Sequence, residues 1–434
     1  MPTASKKVIN GWAMYDWANS AYSLVITSTI FPIYYSSITG NEQTHDRVSF
    51  FGISFINSVL FNYAISFSFL VIAFLSPILS SMADYRGNKK RFMQFFCYLG
   101  GLSCCAMYFF KSNTLELGII AFILAAVGFC GSIVFYNAYL PEIADKEDQD
   151  RVSAKGFALG YIGSVLLLVL CLLLVLKPGS FGISDPSLPA RISFVLVGLW
   201  WMGFAQMTFA VLPSPAYRAA DRHNIFTHGF KELQKVWREV QKQPVLKRFL
   251  RSFFFYSMGV QTVMYAAAIF GEKELHLESS QLIITVLLIQ LVAIGGAWIM
   301  ARLSEKMGNL PVLMMSVLFW IGICAGAYFI HTAGQFYLIA VCVGFVMGGI
   351  QSLSRSTYSK LMPATDDTAS YFSYYDVCEK LSIVIGTGMF GYIEALTGSM
   401  RNSIIFLIVF FISGFVLLVF TLKKQFAVAR ASAL

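Results

Sequence analysis

A stripe of polar residues runs along the first apolar segment of the chain. Asp16, Asn19, Ser20, Ser23 and Thr27 recur at helical spacing, so they fall on one face of an otherwise apolar helix. A carboxyl group within such a helix usually faces the interior of a bundle, where it binds cations, protons or polar solutes. The stripe therefore predicts one wall of a solute cavity, with Asp16 as its cation or proton site. The alternative is that Asp16 only stabilises a helix N-terminus.

Two further apolar segments carry shorter polar stripes. Gln261 and Tyr265 lie four residues apart, and so do Gln351 and Arg355. We expect these four side chains to line the same cavity, where Arg355 offers a forked and permanently charged donor to a carboxylate. The alternative for Arg355 is a simple helix anchor, because it lies near the end of its apolar segment.

A third segment contains two acids and a base within five residues. Asp376 and Lys380 are i, i+4 neighbours that can neutralise each other, which leaves Glu379 on another face of the helix. These charges are candidates for a gate or a coupling site, and a structural ion pair is the alternative. No histidine falls within an apolar segment, so proton coupling would fall on Asp16, Asp376 or Glu379. Asp16 is the preferred carrier, because its own helix holds no nearby base.

The composition indicates what must position these residues. Of the 434 residues, 57% are apolar and 13% are charged, about half the charge of a soluble domain. Continuous apolar runs of about 20 residues, the length that crosses a bilayer as a helix, occur twelve times. The predicted fold is an all-α membrane protein with spans near 10–38, 50–82, 92–110, 115–140, 155–176, 192–213, 248–270, 279–303, 311–330, 334–358, 370–396 and 402–422.

The basic residues orient these spans. Of the 32 Lys and Arg residues, 25 fall on the side of the chain that holds the N-terminus and six on the other side. This distribution predicts that both termini are cytoplasmic, in a multi-pass protein of the inner or plasma membrane.

The longest polar stretch divides the spans into two groups of six. Within residues 214–247, Phe230, Leu233, Trp237 and Val240 recur at helical spacing among basic residues. We expect an amphipathic linker helix on the cytoplasmic leaflet, with partner binding as the alternative. The predicted six-helix bundles are therefore 1–213 and 248–434.

The two predicted bundles share a repeat. An acid, a glycine and an asparagine follow the second span at the spacing found again after the eighth span, 221 residues later. They are Asp84, Gly87 and Asn88 in the first copy and Glu305, Gly308 and Asn309 in the second. A duplicated six-helix unit with parallel repeats is a transporter architecture.

Small residues within the spans are interpreted as packing residues. Gly156, Gly160 and Gly163 fall on one face of the fifth span, which is typical of closely packed helices. The eight cysteines all lie within apolar segments and none has a histidine at metal-ligand spacing, so no metal site is expected.

Several segments carry a family resemblance. The loop after the second span resembles the cytoplasmic signature of the major facilitator superfamily, in which an acid precedes a glycine by three residues and basic residues follow. The chain also resembles the vacuole-effluxer family within that superfamily, whose fungal members export amino acids from the vacuole. This likeness rests on WAMYDWANSAY (12–22), FYNAYLP (135–141), GFALGY (156–161) and QSLSRS (351–356).

The resemblance implies a major-facilitator-type fold in which helices 1, 4, 7 and 10 line the cavity. It adds Tyr136 and Asn137, at the end of the fourth span, to the substrate-binding candidates. It also implies that Asp84, with Arg86 and Gly87 in the same loop, meets helix 11. The charges of that helix would then form an inner gate with Asp84.

We expect a secondary transporter that moves a small solute by alternating access, and the resemblance points to amino-acid export. The alternatives are another solute (a sugar, a drug-like compound or a lipid) and a receptor or scaffold that does not transport. An enzyme, a cofactor and a nucleic-acid partner are not expected, because the spans hold no catalytic constellation. The chain has no Gly-Lys-Ser/Thr phosphate loop, which excludes an ATP-driven pump. The expected partners are the solute, protons as coupling ion and the bilayer, with the protein a monomer.

Overall fold

The computed structural model describes residues 3–40, 47–213 and 225–432, and each of the twelve predicted spans contains a helix in it. The first half contains α1 (Lys6–Ala21), a π-helical segment (Tyr22–Ile30), α2 (Phe31–Thr39), β1 (Arg47–Phe50), β2 (Ile53–Ile56), α3 (Asn57–Arg86), α4 (Lys89–Ala106), α5 (Leu115–Ala138), α6 (Leu140–Ile143), α7 (Gln149–Leu176) and α8 (Leu188–Val211). After α9 (Ile225–Lys242), the second half contains α10 (Pro244–Leu275), α11 (Ser279–Met307), α12 (Asn309–Phe329), α13 (Ala333–Leu361), α14 (Thr368–Thr397) and α15 (Met400–Ser432).

In the described part of the chain, ten helices are long and apolar enough to cross a membrane. The two remaining predicted spans do not meet that criterion of length and hydropathy, and the structure gives a reason for each. The first is divided by the π-helical segment, and α14 carries Asp376, Glu379 and Lys380. The prediction of an all-α membrane protein is confirmed.

The π-helical segment begins within the polar stripe of the first span, after Ser20, and contains Ser23 and Thr27. The hydroxyls of Ser28 and Thr29 donate to the carbonyls of Ser23 (3.0 Å) and Leu24 (2.8 Å), five residues earlier. These bonds support the wider turn, which changes the helical phase along the span. Thr27, predicted on the same face as Asp16, consequently does not line the central cavity described below.

The predicted start of the second span is wrong. The helix begins at Asn57 rather than at residue 50, because β1 and β2 form an antiparallel hairpin in which Arg47 lies opposite Ile56. Phe51 (φ 48°) and Gly52 (φ 79°) make the turn in left-handed backbone conformations, which suit a two-residue hairpin loop. Hydropathy alone does not distinguish a strand from a helix in a short apolar run.

The linker helix α9 forms as predicted, but it packs on the bundle. Val236 and Val240 are buried, and α9 contacts α3 of the first half. Trp237, predicted on the apolar face, is half exposed. The side chains of Phe230 and Leu233 lie outside the described part of the chain.

The same helix also reaches the second half. Lys235 pairs with Asp367 at 3.1 Å, and the Tyr371 hydroxyl donates to Glu239 at 3.0 Å. Because Asp367 and Tyr371 lie at the start of α14, α9 bridges α3 and α14 at the end of the bundle that carries both chain termini.

We call that end of the bundle the termini end and the opposite end the far end. Among the described residues, the hydrogen bonds between α1–α8 and α10–α15 run from the pair Tyr161–Gln351 towards the termini end. The central cavity continues through Phe69 and Tyr265 into a second cavity, which reaches Lys273 at the far end of α10. The protein is therefore closed at the termini end.

The charge distribution gives a topology prediction. Single cysteines replacing His228 and Lys423, in a background without the eight native cysteines, are expected to react with an impermeant maleimide only from the cytoplasm. A cysteine replacing Glu274 should react from outside, because Glu274 lies at the far end, 3.1 Å from Arg401. Labelling of positions 228 and 274 from the same side would overturn the twelve-span topology.

Candidate functional site

A cavity of about 250 Å³ lies between the two halves, near the middle of the bundle. It is lined by residues of α1, the π-helical segment, α5, α7, α10, α13 and α14, together with Phe69 of α3 and Gln290 of α11. Most of the predicted site residues meet there: Asp16, Asn19, Ser20, Ser23, Asn137, Gln261, Tyr265, Gln351, Arg355, Glu379 and Lys380. Tyr136 lies behind the wall, where it contacts Asp16, while Asp84 and Gly87 lie at the termini end.

An ion pair between the two halves forms part of the cavity wall. Arg355 Nη1 of α13 lies 3.3 Å from Asp16 Oδ2 of α1, and the Tyr136 hydroxyl donates to the same oxygen at 2.7 Å. Asp16 is 7% exposed and Arg355 3%. A buried ion pair that also has hydrogen bonds holds its partners strongly, because removing either one leaves an uncompensated charge.

The remaining guanidinium donors of Arg355 are also satisfied by the first half. Nε donates to Ser153 Oγ (2.9 Å), Nη2 to the Ser153 carbonyl (2.8 Å) and Nη1 to Asn137 Oδ1 (3.3 Å). Arg355 is therefore not the simple helix anchor that the sequence left open. It is a side chain of the second half inserted into the first.

Three aromatic rings of the first half surround the same guanidinium. Its Cζ atom lies 4.3 Å from the ring centre of Phe157, 4.9 Å from that of Trp12 and 5.4 Å from that of Tyr136. Trp12 stacks on Tyr136 and donates its indole N–H to the Tyr136 carbonyl at 2.9 Å. Cation–π attraction is strongest where water is excluded, so these rings add to the ion pair.

Gly156 of α7 leaves the space that this ion pair occupies. A Cβ atom at position 156 would lie 2.4 Å from Asp16 Oδ2 and 3.0 Å from Arg355 Nη2. Gly160 and Gly163 behave as the predicted packing residues, because their missing side chains let α7 approach Ser20 and Trp17 of α1. Gly156 therefore differs from its two neighbours in the stripe, since it faces the charges themselves.

The charges of α14 form a second cluster on the cavity wall. Lys380 Nζ lies 3.4 Å from Asp376 Oδ1 and 3.1 Å from Glu379 Oε2, while Gln261 Nε2 donates to Glu379 Oε1 at 3.0 Å. The expected pair of Asp376 and Lys380 is present. The expectation that Glu379 stays apart from it is wrong, because the flexible lysine reaches both acids. The cluster contains two carboxyl groups and one ammonium.

Two amide atoms at the cavity are uncommitted. Asn19 Nδ2 and Gln290 Oε1 are buried and have no hydrogen-bond partner among the described residues. Both residues line the cavity. A donor and an acceptor of this kind are suited to bind a polar solute, because leaving a buried polar group unpaired is unfavourable.

Asp84 joins the halves at the termini end. Its carboxylate accepts hydrogen bonds from the backbone N–H groups of Ala369 (3.2 Å) and Ser370 (2.7 Å), and from the Ser370 hydroxyl (2.8 Å). These donors lie in the first turn of α14, where the helix dipole also favours a negative charge. Gly87 ends α3 in the left-handed conformation (φ 64°), which glycine adopts without strain.

A neighbouring set of contacts supports Asp84. Lys89 lies 3.7 Å from Asp84, forms an ion pair with Glu142 of α6 and donates to Thr368 Oγ1 at 2.8 Å. Asp84 therefore meets helix 11 of the bundle as the resemblance implied, but it does so at the helix start. The cluster of Asp376, Glu379 and Lys380 lies further along α14, at the cavity, so the two sets do not form one gate. The side chain of Arg86 lies outside the described part of the chain.

Asp84→Asn is expected to reduce transport about tenfold while insertion and expression stay near normal. Asparagine keeps the size of the side chain but removes the charge that favours the α14 N-terminus, and charge-assisted bonds contribute roughly 1.5–3 kcal/mol. Uptake into vesicles, normalised to the amount of protein, measures the effect. If the variant fails to accumulate in the membrane, Asp84 is a folding residue instead.

The sequence did not identify several residues of the site. Trp12, Ser153 and Phe157 contact Arg355 from helices that are distant in the chain, and no periodicity marks them as its partners. Gly156 was visible in the glycine stripe, but a glycine that faces a helix and one that faces an ion pair look alike in the sequence.

Comparison with solved structures identifies the fold. The proton:xylose symporter XylE superposes with a TM-score of 0.71 at 12% identity, over 96% of this chain and 95% of the other. The human organic anion transporter MFSD10 gives a TM-score of 0.69 at 14% identity, over 95% and 98%. At these identities the likeness shows the fold alone, which is that of the major facilitator superfamily.

The family follows from sequence comparison. The family described as "Vacuole effluxer Atg22 like" matches residues 4–426, and the chain belongs to it. The MFS-type transporter YxiO of Bacillus subtilis strain 168, which carries the word uncharacterized in its name, is 32% identical over 95% of this chain and 94% of its own length. The autophagy-related protein 22-1 of Phaeosphaeria nodorum is 23% identical over 93% and 88%. The protein is thus a multi-pass membrane transporter of this family and not an enzyme.

Proposed function

We propose that the protein exports a small zwitterionic solute of the amino-acid class by alternating access. The observation that carries this proposal is the presence of both charge signs at one cavity. Arg355 and Lys380 can meet a carboxylate, and Asp16 and Glu379 an ammonium group. In this structure these groups pair with one another. A zwitterionic solute brings a charge that suits each sign, whereas a neutral sugar brings neither.

The uncommitted amide atoms support the same class of solute. Asn19 Nδ2 can donate to a carboxylate, and Gln290 Oε1 can accept from an ammonium group. Efflux as the direction is supported by the family description, vacuole effluxer. The relative in Bacillus subtilis supports an inner or plasma membrane location, with both termini in the cytoplasm and the protein working as a monomer.

In this proposal protons are the coupling ion and the α14 cluster carries them. Asp376 and Glu379 share one lysine, so the buried cluster has one negative charge in excess when both acids are ionised. A proton or the ammonium group of the solute can compensate that charge. Asp16, the carrier preferred from the sequence, is instead paired with Arg355, whose charge is permanent.

A thermal-shift screen of the purified protein tests the solute class. Amino acids should raise the unfolding temperature in a concentration-dependent way, because a ligand that binds only the folded state stabilises it. Sugars, nucleosides and lipids at equal concentration serve as comparison ligands. Stabilisation by one of those classes, with no response to any amino acid, would reject the amino-acid proposal.

A transport assay tests the coupling site. Glu379→Gln should lose accumulation driven by a pH gradient, because glutamine cannot take up and release a proton, while exchange of solute for solute continues. Uptake into proteoliposomes with and without a pH gradient separates the two activities. Gradient-driven accumulation at the wild-type level in both Glu379→Gln and Asp376→Asn would remove the α14 cluster as the coupling site.

A further inference from the structure

A buried carboxylate outside the cavity joins the two halves at the termini end. Asp150, in the first turn of α7, is 1% exposed. Its Oδ2 atom lies 2.5 Å from Lys360 Nζ and accepts from the Ser304 hydroxyl at 2.8 Å. Its Oδ1 atom accepts from Asn309 Nδ2 at 2.7 Å. All of these donors belong to the second half, so the carboxylate depends on the other half for its hydrogen bonds.

The donors come from three separate helices and brace one another. Ser304 lies at the end of α11, Asn309 at the start of α12 and Lys360 at the end of α13. Lys360 Nζ also donates to Asn309 Oδ1 at 3.1 Å, and Asn309 Nδ2 donates to Thr357 Oγ1 at 3.1 Å. A carboxylate held in a satisfied polar network favours the state that contains the whole network.

From the internal repeat, a different acid would be expected to join the halves in the second contact. Glu305 is the counterpart of Asp84, 221 residues later, yet its side chain is exposed to solvent. In the first half, the acid Asp84, in the last turn of α3, accepts hydrogen bonds from the start of α14. In the second half, the adjoining ends of α11 and α12 provide donors, and the acid lies on α7. Because α7 and α14 are the fifth spans of the two halves, the two contacts lie at equivalent positions of the repeat. The acid and the donors are exchanged, however: the fifth span supplies the donors in the first contact and the acid in the second.

We propose that Asp150 is the acid of a second clamp, which holds α7 to the adjoining ends of α11 and α12 and to the end of α13. The first clamp is the contact of Asp84 with the start of α14. The second clamp takes the place that the repeat would give to Glu305. The proposal rests on alternating access as the proposed function, since the halves must part at the termini end for the solute to move. Asp150 acts by positioning the halves and does not contact the cavity.

Cysteine accessibility tests the clamp without any solute. Ala301→Cys reports the second clamp, because Ala301 is buried between the halves against Ala154 of α7. Ala369→Cys reports the first clamp, because Ala369 is buried at the start of α14 beside Asp84. Each is labelled with an impermeant maleimide in the full-length, purified protein, in a background without native cysteines.

Asp150→Asn should increase the labelling rate at both reporters about tenfold or more. The substitution removes the carboxylate that neutralises Lys360 in the closed state, which makes that state less stable. Glu305→Gln, the matched control, should change neither rate more than about twofold, since an exposed side chain contributes little. Lys360→Gln, at a residue closer to solvent, should reproduce the effect of Asp150→Asn, and it carries the test if Asp150→Asn does not fold.

An increase in the labelling rate at Ala301→Cys alone would show local loosening and overturn the clamp, as would equal effects of Glu305→Gln and Asp150→Asn.

The labelling rates can be measured whether or not the protein transports a solute, so the clamp and the proposed function are tested separately. If wild-type protein transports no solute but the labelling pattern holds, the clamp stands and the transport proposal fails. If wild-type protein transports and Asp150→Asn leaves both labelling rates unchanged, only the clamp fails.

Discussion

Asp16→Asn is expected to drive the protein out of the state closed at the termini end and to abolish net transport. The substitution removes the charge that lies 3.3 Å from Arg355 and leaves a guanidinium that is 3% exposed without an anion. Breaking a buried ion pair costs roughly 3–5 kcal/mol. We expect Arg355 to reach water once the halves part at the termini end, so that this cost falls on the closed state alone. The equilibrium should shift on the order of a hundredfold to several thousandfold.

The conformational part of this prediction is read from Ala301→Cys, whose labelling rate should rise in the Asp16→Asn background. Asp185→Asn is the matched control, because Asp185 is an acid of the loop before α8 that lies 3.8 Å from Arg191 and outside the cavity. It should leave transport and labelling near wild type. Unchanged labelling, with solute exchange intact and only gradient-driven accumulation lost, would contradict the prediction and make Asp16 the proton carrier.

Gly156→Ala is expected to reduce transport about a hundredfold, although a single methyl group is added. Alanine favours a helix over glycine by about 1 kcal/mol, so helix formation itself should not suffer. The added Cβ would lie 2.4 Å from Asp16 Oδ2 and 2.9 Å from the Tyr136 hydroxyl. The ion pair must therefore separate or α7 must move away from α1. Uptake into proteoliposomes and the labelling rate at Ala301→Cys measure the outcome.

Gly203→Ala provides the matched control for this substitution. Gly203 lies within α8, and a Cβ atom there would meet no atom within 4 Å. This variant should be as active as wild type. If Gly156→Ala transports at the same rate as Gly203→Ala, the site tolerates the displacement, and the tight geometry around Asp16 and Arg355 is not needed for transport.

Local periodicity was sufficient to find both members of two interactions at the cavity. Asp16, Gln261, Arg355 and Glu379 were recognised because a polar residue within an apolar helix is unfavourable unless it faces the bundle interior. Which of them pair with each other was not found. Asp16 and Arg355 lie 339 residues apart, and the spacing within a helix contains no information about which other helix packs against it. The preference for Asp16 as proton carrier considered only the bases of its own helix, and the structure places Arg355 of another helix beside it.

The repeat marks the place of the proposed second clamp, at Gly308 and Asn309, but not its chemistry. Duplication preserved Gly308 and Asn309, and Asn309 does contribute to the contact between the halves. The acid, however, is Asp150 rather than Glu305, and which side chain is buried depends on packing between the halves. The fold was more predictable than the site, because the apolar length of each span follows from the bilayer. The π-helical segment and the hairpin at 47–56 depend on local backbone contacts that hydropathy does not detect.

Counterflow in proteoliposomes tests most directly the claim that the cavity between the halves carries an amino-acid solute. Vesicles that contain the purified protein are loaded with unlabelled neutral amino acids, and entry of the labelled compounds is followed without any ion gradient. We predict transient accumulation of label above equilibrium with wild-type protein and its loss with Asp16→Asn. Folded wild-type protein that gives no accumulation with any amino acid, or accumulation that Asp16→Asn leaves unchanged, would contradict this account.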